Sequence, residues 1–269
     1  MSGMEKSSAE CNAFQPLLCR VRWVLVSPTH AGNVGASARA IATMGFSRLL
    51  VAAPEDPALI DDPQVQTLSA GALEHLTEMR NTASLEEALF GTRLQLAFTA
   101  RPREFEPPRR TLVEAAHELA NALCQEGQDE VALVFGPERA GLSNADLMRC
   151  SRVCGLDVNP AFSSLNLSQA VQVAAYVLRD ALRAASRAPA APARTDGLGR
   201  PTAKPAAHEQ VEGLHAHLMR VAEQVGALDP QAPGRMDDRL RRLWTRAGVW
   251  EDEAQMLRGV LTAIERKLL

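Results

Sequence analysis

The chain has 269 residues, of which 46% are hydrophobic and 23% are charged, and its formal net charge is -3. This composition is that of a soluble globular protein, and the length leaves room for one sizeable domain and a smaller appendage. The small negative charge does not indicate a nucleic-acid-binding protein, but it does not exclude one, because a local basic patch can attract phosphate.

The N-terminal residues and the cysteines bear on where the protein resides. Residues 1–10 carry both charge signs and no apolar segment, so we expect no signal peptide, and no apolar run approaches membrane-spanning length. The five cysteines include no C-x-x-C pair, which argues against a disulfide framework and against a metal site. We therefore expect a cytoplasmic protein with no membrane partner and no bound metal.

Strand and helix patterns alternate along the first two thirds of the chain. Runs rich in β-branched residues predict strands at residues 21–26, 48–53, 94–99, 131–135 and 153–158. Apolar residues at helical spacing predict helices over residues 63–88, over residues 111–125 and from residue 167 onward. Thr111 and Glu114 have the spacing of a capping box, and Asn144 is expected to cap a short helix.

Glycines mark the entry to a further helix. Gly32 and Gly35 predict a turn after the first strand, followed by a helix of small residues that stops at Gly45. The alternation of strands and helices predicts an α/β domain with a mainly parallel sheet. In such a sheet the ligand binds beyond the carboxyl ends of the strands.

Three loops that leave this edge of the predicted sheet carry candidate functional residues. The loop after residue 26 leads to Asn33 and to Arg39, which lies among alanines that allow other chains to approach closely. The loop after residue 158 carries Ser163, Ser164 and Asn166 just before a predicted helix. Such residues either cap free backbone N–H groups or offer polar groups to a ligand. We expect these two loops to converge with the loop after residue 135.

Two arginine-rich segments have two open interpretations each. Residues 100–110 form a long, proline-containing loop that is either a solvated connection or a lid that contacts phosphate. Near the C-terminus, five arginines lie close to Trp244 and form either a solvated face or a phosphate-binding patch: Arg235, Arg239, Arg241, Arg242 and Arg246.

The composition also predicts a domain organisation. We expect a poorly ordered lead-in at residues 1–19, a catalytic α/β domain at residues 20–182, an Ala/Pro-rich linker at residues 183–207, and a helical extension at residues 208–269. The short helices of the extension are consistent with a small helical module or a dimer arm.

Three segments together resemble a known family. They are N-V-G-A-S-A-R-A at residues 33–40, F-G-P-E-R-A-G-L-S at residues 135–143, and N-P-A-F-S-S-L-N-L-S-Q-A at residues 159–170. In order and spacing they resemble the three motifs of the SPOUT-class RNA ribose 2'-O-methyltransferases. Within that class, the chain is similar to the bacterial tRNA (cytidine/uridine-2'-O)-methyltransferases of the TrmJ type, over most of residues 20–182 and 208–269.

The resemblance implies a fold and an activity. The fold would be a parallel-sheet domain that ends in a deep trefoil knot, followed by a small C-terminal helical extension, and the protein would be a homodimer. The expected reaction is S-adenosylmethionine-dependent methylation of the ribose 2'-hydroxyl at position 32 of the tRNA anticodon loop. Two alternatives are a ribosomal-RNA 2'-O-methyltransferase of the same class and a non-catalytic RNA-binding module that has kept the fold.

The resemblance also implies roles for individual residues. Arg39 matches the arginine that binds the substrate phosphate and assists deprotonation, with Asn33 at the same site. Ser164 and Asn166 match the polar pair that orients the hydroxyl, and Glu138 matches the acid of the second motif. Arginine is a poor base, so orienting phosphate and stabilising the forming alkoxide is its physically easier role. The implied S-adenosylmethionine pocket is lined by Phe98, Thr99, Ala100, Gly136, Leu156, Ser163, Ser164 and Leu165.

Overall fold

A seven-stranded parallel sheet forms the centre of the protein in a computed structural model that describes residues 14–125, 129–187, 204–231 and 234–268. The strands are β1 (Val21–Val26), β2 (Arg48–Ala52), β3 (Glu78–Thr82), β4 (Thr92–Phe98), β5 (Arg109–Arg110), β6 (Glu130–Phe135) and β7 (Arg152–Cys154). Their order across the sheet is β3-β2-β1-β6-β4-β7-β5, and all the strand pairs are parallel. The predicted α/β class with a parallel sheet is therefore confirmed.

Helices alternate with the strands and cover the sheet, and three more helices follow at the C-terminal end. They are α1 (Gln15–Leu18), α2 (Ala31–Thr43), α3 (Pro63–Ser69), α4 (Leu85–Leu89), α5 (Leu112–Cys124), α6 (Asn144–Met148), α7 (Leu167–Ala185), α8 (His208–Gln224), α9 (Met236–Ala247) and α10 (Glu251–Leu268). Two short 3-10 turns occur at Pro57–Asp61 and Ala72–His75. Among the described helices, none is long and apolar enough to cross a membrane.

The sheet is buried on both faces, which explains why its central strands are nearly continuous apolar runs. Alternate residues of β1 enter different hydrophobic clusters: Trp23 and Leu25 pack with α2, α5 and α7, whereas Val24 packs with α4 and α6. On the first face Trp23, Phe135 and Phe98 stack in a row, with ring centroids 6.1 and 4.3 Å apart. This aromatic row stiffens the sheet next to the carboxyl ends of β6 and β4.

The three C-terminal helices pack on one another and against the sheet domain. Leu214, Val221 and Leu261 are buried in their shared core. Several contacts reach back to the domain; among them, Glu209 accepts a hydrogen bond from the backbone N–H of Gly91 (2.9 Å), the carbonyl oxygen of Thr245 accepts one from Arg152 (3.3 Å), and Glu251 pairs with Arg93 (2.7 Å). The helices therefore rest on the domain instead of being tethered only through the chain.

The helix predicted over residues 63–88 is wrong in its middle. This stretch contains α3, a 3-10 turn, β3 and α4. Strand β3 has the sequence Glu-Met-Arg-Asn-Thr, and only its last residue is buried, because it lies at the edge of the sheet beside β2. A polar edge strand lacks the alternation of apolar and polar residues that predicts a strand. Its conformation depends mainly on pairing with the neighbouring strand.

The strand predicted at residues 153–158 is shorter than expected. Strand β7 ends at Cys154, which pairs with Phe98 of β4 and with Arg110 of β5, and both neighbouring strands end at those positions. Residues 155–166 therefore have no partner to continue a ladder, and they form an irregular segment that leads to α7. The pairing of β5 was not predicted, because its residues belong to the arginine-rich loop.

Two local predictions at helix starts are also wrong. Helix α2 begins at Ala31 and contains both Gly32 and Gly35, so these glycines form no turn before it. Gly35 is instead needed for close helix packing, because a Cβ there would lie 2.5 Å from the carbonyl oxygen of Val65 on α3. The cap of α6 is Ser143 rather than Asn144, since its hydroxyl accepts the backbone N–H of Asp146 (3.1 Å) in a complete capping box.

Parts of the expected lead-in and linker are ordered. Phe14 and Leu18 are buried against the first cluster, so residues 14–18 belong to the packed structure, and residues 1–13 lie outside the described residues. Helix α7 continues to Ala185, so the start of the expected linker is helical. Residues 188–203, most of that linker, lie outside the described residues.

Candidate active site

A chain of hydrogen bonds joins the three motif segments at the carboxyl edge of the sheet. Asn33 Nδ2 donates to Glu138 Oε1 (2.7 Å), and Asn166 Nδ2 donates to Asn33 Oδ1 (2.9 Å). We call Glu138, Asn33 and Asn166 the motif chain. Its members come from the loop after β6, the first turn of α2 and the start of α7, so the fold brings together three segments that are distant in sequence.

Glu138 is the anionic end of the motif chain. Its second carboxylate oxygen accepts the backbone N–H (2.9 Å) and the hydroxyl (2.8 Å) of Thr29. Burial raises the pKa of Glu138, but the hydrogen bonds from Asn33 and Thr29 outweigh burial and hold the pKa below its ordinary value. The carboxylate therefore stays ionised at neutral pH and fixes Asn33 and the loop after β1.

Asn166 is the N-cap of α7, as its position before the helix predicts. Its Oδ1 accepts the backbone N–H (2.9 Å) and the hydroxyl (2.7 Å) of Ser168. Because its amide nitrogen donates to Asn33, both ends of the Asn166 side chain are engaged. The cap thus ties the start of α7 to the start of α2.

Arg39 lies on the exposed face of α2, at a shallow groove between α2 and α7. The groove is lined by Ala36, Arg39, Ala40, Thr43, Ser168, Gln169 and Gln172. Ser168 also bonds to Asn166, so the groove adjoins the motif chain. No residue in the described part of the chain forms a hydrogen bond or ion pair with the Arg39 guanidinium. That charge is therefore available to an anionic ligand.

Residues expected to line the methyl-donor pocket lie at the ends of three adjacent strands. Phe98 pairs with Phe135 of β6 and with Cys154 of β7, which places Thr99 and Gly136 at the same edge. The backbone N–H of Thr99 donates to the carbonyl of Cys154 (2.9 Å), one step before the segment that carries Leu156. Phe98, Thr99 and Gly136 therefore lie on one wall at the strand ends, and Ala100 and Leu156 follow it one and two residues further along the chain.

Gly136 permits the second motif to fold over this wall. A Cβ at Gly136 would collide with the backbone of Gly141 and Leu142. The loop returns because the N–H of Gly141 donates to the carbonyl of Pro137 (2.8 Å) and Gly141 adopts φ +67°. Only glycine fits position 136 in this turn, so the fold requires a glycine two residues before Glu138.

Ser163, Ser164 and Leu165 lie on the exposed segment between β7 and α7. Neither serine side chain makes a hydrogen bond to any residue that the structure describes, and the segment is braced instead by Asn159, whose Oδ1 accepts the N–H of Ala161 (3.0 Å). The segment that carries these side chains follows β7 directly in the sequence, but no side-chain hydrogen bond of either serine joins it to the wall.

Sequence reasoning missed three side chains of this region. Thr29 binds Glu138 and Ser168 binds Asn166, and neither residue type has a signature that reveals such pairing. Phe162 is 82% exposed within the third motif. The sequence did contain a signal for Phe162. An aromatic residue that is surrounded by polar residues lacks the apolar pattern of a core residue, which predicts an exposed ring.

The arginine-rich loop contacts the C-terminal helices. Phe105 lies under the guanidinium groups of Arg235, the residue before α9, and of Arg242 within α9, at 5.0 Å and 5.9 Å from its ring centroid. Arg235 also pairs with Glu104 (2.9 Å). At its other end the loop is held by Arg109, which donates to the carbonyl of Thr99 (3.4 Å). The loop therefore connects α9 to the wall of the candidate pocket.

The arginines of α9 have two different environments. Four of them are exposed and recur at spacings of four, three and four residues, which places them on one face of the helix; we call this set the arginine stripe: Arg235, Arg239, Arg242 and Arg246. Arg241 lies on another face and pairs with Glu212 (2.6 Å) and Asp237 (3.1 Å). Arg241 therefore stabilises the packing of α8 and α9 and is not part of an exposed patch.

The arrangement offers a definite set of chemical functions. A free guanidinium lies in a groove that adjoins an ordered polar chain, and the ends of β4, β6 and β7 form a partly apolar wall at the same edge of the sheet. Within the described ranges, no three His, Cys, Asp or Glu side chains are close enough to hold a metal ion. These features fit the binding of an anion and of an aromatic heterocycle side by side.

The family model that matches this region decides the classification. It is described as the SpoU rRNA Methylase family, and it matches residues 20–176. The chain belongs to the SpoU methylase family. A second model, described as tRNA methyltransferase TrmJ, C-terminal domain, matches residues 209–269. The two matches divide where the Ala/Pro-rich segment lies.

Relatives within the SpoU methylase family match over nearly the whole chain. The tRNA (cytidine/uridine/adenosine-2'-O-)-methyltransferase TrmJ of Pseudomonas aeruginosa is 36% identical over 250 residues, which cover 93% of this chain and 95% of that protein. The tRNA (cytidine/uridine-2'-O-)-methyltransferase TrmJ of Yersinia enterocolitica is 36% identical over 255 residues, covering 93% of each. This chain is thus similar to TrmJ proteins in both of its parts.

Solved structures agree with this classification. The crystal structure of TrmJ from Z. mobilis ZM4 has a TM-score of 0.75 at 31% identity and covers 91% of this chain and 98% of its own. A probable methyltransferase from Bordetella pertussis has a TM-score of 0.58 at 43% identity, covering 62% of this chain and 99% of its own.

Proposed function

We propose that this protein uses S-adenosylmethionine to methylate the ribose 2'-hydroxyl of tRNA. The observation that carries the proposal is the motif chain, which lies at the strand ends where parallel α/β sheets bind their ligands and adjoins the groove that holds the free guanidinium of Arg39. The names of the TrmJ relatives, which cover 93% of this chain, support tRNA as the substrate.

The residues at the strand ends fit the methyl donor. Leu156 provides apolar surface beside the buried ring of Phe98, and the backbone at Ala100 and Gly136 provides N–H and C=O groups that can pair with an adenine edge, while the backbone of Thr99 is held by Cys154 and Arg109. Bound S-adenosylmethionine would supply an electrophilic methyl carbon. We propose that Ser163, Ser164 and Leu165 close over this wall from the exposed segment between β7 and α7.

The protein's own residues then have positioning roles. Methyl transfer is an in-line displacement, so the acceptor oxygen must be held against the methyl carbon while it loses its proton. We propose that Arg39 binds the phosphate next to the target ribose and stabilises the forming alkoxide. The second N–H of the Asn166 amide and the Ser164 hydroxyl orient the acceptor hydroxyl, while Glu138 fixes Asn33, which in turn accepts the first N–H of Asn166.

The finer features of the family enter as proposals. We place the target at position 32 of the anticodon loop and the reaction in the cytoplasm, and we expect a homodimer whose catalytic domain, residues 20–182, ends in a deep trefoil knot. A dimer would allow Arg39 of one copy to serve the pocket of the other. Residues 208–269 are the proposed helical extension.

The arginine stripe is the proposed tRNA-binding surface of that extension. It spans about 16 Å at 1.5 Å per residue. Arg239 and Arg246 have no ion-pair partner among the described residues, whereas Arg235 pairs with Glu104 and lies with Arg242 over Phe105. Aromatic residues make up only 4% of the chain, so recognition through shape and phosphate contacts is favoured over base stacking on a sheet.

One experiment tests the reaction. Purified protein is incubated with methyl-labelled S-adenosylmethionine and unmodified tRNA, and the tRNA is digested to nucleosides. We expect label in a 2'-O-methylated pyrimidine nucleoside. Label on a base contradicts the proposal, and label in ribosomal RNA alone supports the alternative that the family description names. A protein that binds tRNA but not S-adenosylmethionine in calorimetry would be a non-catalytic RNA-binding module.

A further inference from the structure

The outer face of α10 carries apolar side chains that no described residue covers. Met256, Val260 and Ile264 recur at every fourth residue and are 62%, 54% and 38% exposed. The neighbouring face of the same helix, with Ala254 and Leu261, is buried against α8. The helix therefore has one apolar face that stabilises the C-terminal helices and a second that is open.

Opposite charges flank the open face. Glu253 and Lys267 are both exposed, and each lies seven residues from Val260, a spacing that keeps the three side chains on nearly the same side of a helix. With Met256 and Ile264 they fall within about 80° of arc at 3.6 residues per turn. Neither Glu253 nor Lys267 forms an ion pair with another described residue.

This face is complementary to itself when it is reversed. Turning the helix end for end about Val260 exchanges Glu253 with Lys267 and Met256 with Ile264. An interface between identical copies related by a two-fold axis requires this self-complementary arrangement, in which residue i meets j and j meets i. A parallel pairing would instead place Glu253 against Glu253 and Lys267 against Lys267.

We infer that α10 docks antiparallel against α10 of a second copy of this chain, with the two Val260 side chains at the two-fold axis. Each copy then places the Glu253 carboxylate near the Lys267 ammonium of its partner, on either side of an apolar centre. A single helix pair buries less than the roughly 1,200 to 2,000 Å² of a stable interface, so it acts together with another contact between the copies. The inference does not depend on the methyl-transfer reaction.

Disulfide trapping tests the register of this contact. In full-length protein with Cys11, Cys19 and Cys124 replaced by serine, Val260→Cys places one thiol per copy at the proposed axis. Under mild oxidation we expect covalent dimers from Val260→Cys. The matched control is Gln255→Cys, which is exposed on a different side of the same helix and should give several-fold less dimer. Equal trapping of both variants, or no trapping of Val260→Cys, overturns the inference.

Charge exchange tests the orientation. In the Val260→Cys background, Glu253→Lys and Lys267→Glu should each slow trapping several-fold, because each places like charges opposite one another. The double variant should restore the rate. Glu253 also accepts the N–H of Trp250 (2.9 Å), and this cap stays broken in the double variant, so recovery reports the partner's charge and not helix stability. A double variant as slow as the single variants contradicts the antiparallel pairing.

Discussion

Two polar clusters of the molecule differ in how completely their hydrogen-bonding groups are used. In the C-terminal helices, His215 is 3% exposed, accepts the indole N–H of Trp244 at Nδ1 (3.2 Å) and meets Asp237 at Nε2 (2.7 Å). We call these residues the helical cluster: His215, Asp237 and Trp244. At the sheet edge, the motif chain is also ordered, but the side chains of Arg39 and Ser164 are exposed and have no hydrogen-bond partner among the described residues.

The difference separates a structural cluster from a binding site. Because Trp244 donates to Nδ1, the proton of neutral His215 lies on Nε2 and is donated to Asp237, so the imidazole has no group left for a ligand. The motif chain instead fixes a scaffold beside free donors. Buried polar groups are expected to be paired, whereas an exposed guanidinium without a protein partner is available to a ligand.

The largest effect is expected from Arg39→Ala. Loss of a charged donor that acts on the developing alkoxide should reduce the rate of methyl transfer by about 100- to 1,000-fold. The affinity for S-adenosylmethionine, measured by calorimetry, should change little, because Arg39 lies on α2 and not at the strand ends. Arg266→Ala, an exposed arginine of α10, is the control and should retain activity. Full activity of Arg39→Ala would contradict the assigned role.

The helical cluster should respond in the opposite way. His215→Ala removes a buried imidazole and leaves the indole N–H of Trp244 without its acceptor, while Asp237 keeps its ion pair with Arg241, and the change should lower the free energy of unfolding by about 1–3 kcal/mol, measured by urea denaturation. Binding of S-adenosylmethionine should be unchanged. The matched variant is Asn33→Ala in the motif chain, for which we expect slower transfer and a smaller loss of stability. The comparison fails if both variants alter stability and activity alike.

A smaller effect is expected at Phe162, whose exposed ring in the third motif is available to stack on a nucleobase. Removing one such stacking contact costs about 1–3 kcal/mol, so Phe162→Ala should raise KM for tRNA about tenfold and leave S-adenosylmethionine binding intact. Phe90→Ala removes a ring that is 62% exposed outside the site and is the control. If KM changes equally in both variants, the ring at position 162 has no specific part in tRNA binding.

The smallest effect concerns pH. The folded-state pKa of Glu138 lies below its ordinary value, so its ionised form stabilises the fold above the unfolded-state pKa of about 4.3. This contribution is lost as the pH falls from there towards the folded-state pKa. Glu138→Gln should therefore lose less stability than the wild type between pH 5 and pH 3 (roughly the range over which a carboxyl titrates). Glu74→Gln, at an exposed carboxylate, should follow the wild-type curve.

Local patterns predicted much of the fold. The apolar run of β1 and the capping box of α5, in which Thr111 and Glu114 bond reciprocally, are visible in the sequence because each depends on neighbouring residues. β3 and β5 were not predicted, since their residues are polar and become strands only by pairing with β2 and β7. The extent of β7 likewise depends on where its neighbours end.

The candidate site was predictable to a different degree at each residue. Asn166 was expected at a helix start, and it is the N-cap of α7. Its bond to Asn33 was not derivable from local pattern, and neither was the part played by Thr29, because hydrogen bonds between segments more than a hundred residues apart leave no periodic signal. The catalytic roles themselves remain predictions.

By itself, the sequence determined the alternation of strands and helices, the order of the three motifs and the residue types that can bind phosphate, because these depend on neighbours in the chain. Only the tertiary structure decided which of those residues keep a free hydrogen-bonding group. Arg241 is paired within the helices while Arg39 is free, and Asn33 bonds to partners in two other segments. Whether a side chain keeps an unpaired hydrogen-bonding group depends on the residues that the fold places around it, and these residues are distant in the sequence.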